Sequence, residues 1–147
     1  MDLVEFLRAR LDEDEQAARA ASPGPWRAES GYEGDEWAIK SPVSTADSFP
    51  SGDVAGPGYE GGGVWSRGDA EHIARHDPAR ALREIKAKRR IVARHTGDHM
   101  CPKPPQDHSW TEAGQTVEGL WPCGDLLDLA RSYADHPEYD VVWGQGL

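Results

Sequence analysis

Two cysteines and three histidines fall in one proline-rich stretch of the chain: His95, His99, Cys101, His108 and Cys123. Thiolate and imidazole are donor types that zinc takes, four at a time in a tetrahedron. A small irregular segment gains folding free energy when such an ion staples it. Cys101 and Cys123 with two of the histidines would make a Cys2His2 site, so one structural zinc is the candidate cofactor. The spacing contains no Cys-x-x-Cys pair. Two alternatives therefore stand beside it: Cys123 as a small buried apolar side chain next to Trp121 with the histidines solvated, and a Cys101–Cys123 disulfide.

A second histidine pair, His72 and His76, is four residues apart and shares one face of a helix. Glu71 and Asp77 flank it and could orient the rings. Ile73 stands where a metalloprotease helix needs glutamate, so surface or capping histidines are the simpler reading. The third constellation is cationic. Arg80, Arg83, Lys86, Lys88, Arg89, Arg90 and Arg94 face one acid, Glu84, over fifteen residues. Such a face could track phosphates, with Arg83, Lys86, Arg89 and Arg90 as its contacts. Against that stands a formal net charge of −10, which opposes non-specific binding to nucleic acid or anionic membrane. Pairing with the acidic run Asp12 to Glu15, or with a protein partner, is favoured. No nucleophile elbow, kinase signature or nucleotide loop is present, and no Gly-Lys-Ser/Thr follows Gly61-Gly62-Gly63.

These groups need elements to hold them. Leu3, Phe6, Leu7 and Leu11 recur at three- and four-residue intervals and predict a helix from Asp2, its cap, to Ala21. Ser22-Pro23-Gly24-Pro25 ends it. Trp26, Trp37-Ala38-Ile39 and Val64-Trp65 are strand candidates for a small antiparallel meander. Asp69 is placed to cap a short helix over 70–76. Asp77, with Pro78 at the first helical position, starts a longer helix to His95. A last helix covers 125–134, and Tyr139, Val141, Val142 and Trp143 form an apolar tail suited to docking. The six tryptophans are many for this length. Those in the strands read as core, while Trp110 and Trp121 could pack around a metal or mark a contact surface.

The chain has 147 residues, of which 37% are hydrophobic, with 16 glycines and 11 prolines. That is one domain's length with modest core material and much loop. The expected fold is α+β: N-terminal and long central helices packed on a small antiparallel sheet, an irregular segment over 95–124, and a C-terminal helix. The stretch 41–63 reads as a flexible loop. No apolar run reaches the roughly 18–20 residues of a membrane span. The first residues lack a basic region and a hydrophobic signal core, so a cytoplasmic location is expected.

Several stretches carry a resemblance. They are Val4 to Glu15, Pro23-Gly24-Pro25-Trp26, Asp69 to Pro78, Lys88-Arg89-Arg90-Ile91 and Tyr133-Ala134-Asp135-His136-Pro137. In this order they resemble DUF6221, a family of unknown function from actinobacterial genomes and their phages. A looser likeness links the Pro-Gly-Pro-Trp turn and the later helix start to phage early proteins. The resemblance implies a chromosomal or mobile-element setting and brings no activity. The function expected is therefore that of a small acidic non-enzymatic binding or regulatory protein acting through protein–protein contacts. Alternatives are nucleic-acid binding through the Arg80–Arg94 face and a metal-dependent hydrolase built on His72 and His76.

Overall fold

The computed structural model describes residues 1–31, 36–43, 52–56, 64–95 and 124–144. It has α1 (Leu3–Ala20), β1 (Arg27–Ser30), β2 (Trp37–Lys40), β3 (Asp53–Ala55), α2 (Arg67–Arg75), α3 (Pro78–Arg94), α4 (Gly124–Arg131) and a 3-10 turn at Val141–Gly144. The fold is α+β, as the sequence implied. The chain groups into two compact units. One comprises Met1–Asp12 and Lys86–Leu147, the other Glu13–Ile85.

In the unit Glu13–Ile85 the sheet runs β1-β2-β3, all antiparallel. Arg27 pairs with Lys40 and Ser30 with Trp37, while Lys40 also pairs with Asp53 on its other side, after a register shift. The Lys40 ammonium lies 3.0 Å from the Asp53 carboxylate, a cross-strand ion pair of the kind that pins register. The third strand thus falls at Asp53–Ala55, within a stretch whose composition predicts loop. Val64, expected in a strand, makes an isolated bridge to Trp37. A three-residue strand of Asp-Val-Ala has too little apolar pattern to announce itself.

The helix lying against β1 and β2 is α2. It starts earlier than expected, because Ser66 rather than Asp69 is its cap: the Ser66 hydroxyl accepts from the Asp69 amide. Asp69 then sits in the first turn, where its charge suits the helix dipole. The tryptophans also depart from expectation. Ala38 and Ile39 are the buried residues of β2, whereas Trp26 and Trp37 are half-buried and Trp65 is 61% exposed. Trp26 spends its indole N–H on the Ser22 carbonyl, at 2.9 Å. Trp37 lies under the Arg67 guanidinium, 5.8 Å from the ring centroid.

The other unit is built on the start of α1. Asp2 and Glu5 form a reciprocal capping box: the Glu5 amide donates to Asp2 Oδ1 (2.8 Å) and the Asp2 amide to Glu5 Oε2 (3.1 Å). The buried stripe is Leu3, Val4, Phe6, Leu7, Arg10 and Leu11. Val92 of α3 and Leu126 and Ala130 of α4 are buried as well. Phe6 is fully enclosed and meets four rings: Trp143 at 5.0 Å, His136 at 5.8 Å, Tyr139 at 6.1 Å and Tyr133 at 6.2 Å. The apolar tail therefore docks through Tyr139 and Trp143, while Val141 and Val142 are exposed.

Candidate functional site

The helix α3 carries the densest charge. Its first turn is capped by Asp77, whose Oδ1 accepts the Arg80 amide at 2.9 Å, with Pro78 at the first helical position as expected. Three of its seven cations have partners of their own. Arg80 pairs with Glu84 one turn on. Arg89 pairs with Asp12 Oδ1, the contact with the acidic run of α1 that the charge pattern suggested. Lys88 lies over the Tyr133 ring, 5.6 Å from its centroid.

The remaining four are Arg83, Lys86, Arg90 and Arg94, all exposed. Their spacing of three, four and four residues puts them in one row along the helix. Among the described residues none of the four is in an ion pair. From Lys86 to Arg94 the row is about 12 Å long, at about 1.5 Å rise per residue. Of the nucleic-acid candidates, Arg83, Lys86 and Arg90 thus share the row, while Arg89 is turned to Asp12.

At the end of the row the charge changes sign. A cleft of about 390 Å³ is lined by Ile91, Arg94, His95, Asp125, Asp128 and Leu129. Within it His95 Nε2 lies 3.4 Å from Asp125 Oδ2. The structure therefore brings one of the sequence-predicted zinc ligands, His95, beside a carboxylate. The others, His99, Cys101, His108 and Cys123, lie outside the described residues. Among the described residues no three His, Cys, Asp or Glu side chains converge on a common point.

His72 and His76 do come together on α2. Their ring centroids are 4.3 Å apart, and His76 Nδ1 is 2.8 Å from the His72 carbonyl oxygen. Glu71 is turned away from them to Arg67 (2.7 Å). That hydrogen bond, and then the Arg67 charge, holds the Glu71 carboxyl below the usual carboxylate range. Asp77 is committed to its cap.

One charged group escaped sequence reasoning. Arg10 is buried at 5% exposure, with its Nη1 2.9 Å from His136 Nδ1 and 2.8 Å from Glu138 Oε2, and its Cζ 5.2 Å from the Phe6 centroid. The signal was available, since position 10 continues the apolar stripe four residues after Phe6 and three after Leu7. The Arg10 hydrogen bond holds the Glu138 carboxyl below its ordinary value of 4.5. A folded-state value below the unfolded one makes this carboxylate's contribution complete at neutral pH. The contribution is lost as pH falls through the depressed folded value. In urea titrations the native protein should therefore exceed Glu138→Gln in stability at neutral pH, and the difference should vanish in acid. A difference that persists in acid would show that the glutamine perturbs packing rather than charge.

A family model, "Family of unknown function (DUF6221)", matches residues 1–145. The chain belongs to the DUF6221 family. No curated protein and no solved structure matches it. Among the described residues no helix is long and apolar enough to cross a membrane.

Proposed function

We propose that this DUF6221 protein is a non-enzymatic binding protein that takes an acidic segment of a protein partner along the row Lys86, Arg90 and Arg94. The observation that supports this reading is that these exposed cations share one face and are left out of the ion pairs that absorb Arg80 and Arg89. A helix with carboxylates every fourth residue repeats at the same pitch and can meet all three at once. Exposed pairs contribute only about 0.2–1 kcal/mol each. The row therefore orients and steers a partner, and affinity comes from what lies beside it.

The second reading, nucleic acid, rests on the same cations. The flanking charge argues against it. A uniform polyanion running past Arg94 meets Asp125 and Asp128, on a chain of net charge −10. A short acidic segment can stop before them.

The test compares a glutamate-every-fourth-residue helical peptide with a short DNA duplex, by fluorescence anisotropy at low salt. The peptide should bind, more weakly as salt rises. Lys86→Glu/Arg90→Glu/Arg94→Glu should weaken it by about three- to 150-fold, the sum of three exposed pairs. Duplex binding lost in the same variant would transfer the row to nucleic acid. Binding of neither probe would remove the row as a contact surface.

A further inference from the structure

The histidine pair at the end of α2 combines a helix-capping contact with two imidazoles on one exposed face. His72 and His76 both lie on the exposed side of the helix. Their rings are tilted by 40° with centroids 4.3 Å apart. The contact at His76 settles which of its nitrogens carries the proton. A carbonyl oxygen can only accept, so the 2.8 Å contact with the His72 carbonyl makes Nδ1 the donor. In the neutral ring Nε2 of His76 then presents a lone pair.

This is the arrangement of a metal-bound imidazole, whose second ring nitrogen donates to a backbone carbonyl and so fixes tautomer and orientation. The pair also sits at the last turn of α2, with His76 as its C-cap. There the unsatisfied carbonyls favour a cation. Two imidazole nitrogens on one tetrahedral ion stand about 3.3 Å apart at metal–nitrogen distances of about 2.0–2.1 Å. The two ring centroids are 4.3 Å apart, within the range that such a chelate requires.

The geometry points to His72 and His76 as a two-imidazole chelate for a borderline divalent transition ion such as nickel or zinc, with water completing the coordination shell. Nitrogen donors select this class over magnesium and calcium, which take oxygen. Among the described residues the two flanking carboxylates are engaged elsewhere: Glu71 is held by Arg67 and Asp77 by the Arg80 amide. Two imidazoles fill two of the four positions of a tetrahedral ion, and a histidine or carboxylate of a second protein could fill another. The chelate is independent of the cation row on α3.

The test is titration of protein without a histidine tag with nickel chloride and zinc chloride, read by calorimetry and by thermal unfolding. Native protein should take about one equivalent at this pair, and a large excess of ion over Kd should raise the melting midpoint by several degrees. Losing an outer-shell partner alone typically costs about 10–100-fold in metal affinity. His72→Gln and His76→Gln should therefore each weaken binding at least about tenfold. His72→Gln keeps the backbone carbonyl that His76 uses, so it separates loss of a ligand from loss of the helix cap. Magnesium should give no shift. Nickel and zinc binding unchanged in both variants, or no binding by native protein, would overturn the assignment, as would an equal response to magnesium.

Discussion

Replacing Phe6 by alanine should cost about 3–5 kcal/mol, the largest effect of any single truncation in the unit that contains it. Phe6 has no exposed surface and stands at the centre of Tyr133, His136, Tyr139 and Trp143, with the Arg10 guanidinium over its face. Three of the ring pairs are edge-to-face, the orientation that sets the positive edge of one ring on the negative face of the other. Such pairs contribute about 0.5–1.5 kcal/mol beyond buried area, though not additively. Truncation also leaves Arg10 beside a void. A guanidinium cannot withdraw to water at 5% exposure without moving the segment that holds Glu138. The measurement is urea unfolding followed by near-ultraviolet circular dichroism, which reports aromatic packing. The midpoint should drop, and the aromatic signal should weaken even before unfolding. Phe6→Leu keeps most of the apolar volume and should cost clearly less. A loss under about 1 kcal/mol for Phe6→Ala would be far below the cost of a buried aromatic truncation, and would mean that the tail from Tyr133 to Trp143 is not anchored on this ring.

Helices were legible because their signals are local. The 3–4 spacing of Leu3, Phe6, Leu7 and Leu11 marked α1, and Asp77-Pro78 marked the start of α3 to the residue. The sheet was less so. Trp37-Ala38-Ile39 stood out, but β3 is three residues with one large apolar side chain, and its identity comes from pairing with β2. Tertiary partners decide such strands, and propensity does not. The same distinction divides the charges. That Arg89 would meet the acidic run of α1 followed from complementarity, and so could be anticipated. Which groups the buried Arg10 would meet, His136 and Glu138, more than 120 residues away in the chain, could not, since nothing near position 10 names them. Among the candidate ligands, the His72–His76 contact was legible because a helix alone places those two rings. A grouping of His95 with distant residues depends on how the chain returns.

A second large effect should come from the smallest side-chain addition, Gly24→Ala, at roughly 2–4 kcal/mol. A Cβ at position 24 would stand against Asp77 Oδ1 and within 2.9 Å of both Asp77 Cγ and the Ala79 Cβ. Something must shift, and neither neighbour is the free end of a flexible chain. Asp77 is 6% exposed and its Oδ1 accepts the Arg80 amide, so moving it opens the cap of α3. Overpacking costs about 1–3 kcal/mol and a lost cap about 0.5–2 kcal/mol. The loop around Gly24 is itself held. Ser41 Oγ donates to the Pro23 carbonyl at 2.7 Å, and the Trp26 indole donates to Ser22. The Pro-Gly-Pro-Trp turn and the Asp-Pro helix start, some fifty residues apart, thus meet at one close contact, and glycine is what lets them. Asp77→Ala alone loses the cap at about 1 kcal/mol but removes the carboxylate that blocks the new methyl group. In the double variant Gly24→Ala/Asp77→Ala the combined cost should therefore fall short of the sum by about 1 kcal/mol or more, a coupling that only groups in contact show. Thermal and urea unfolding of the four proteins in the cycle measures it, and strictly additive costs would mean that the turn and the cap do not touch.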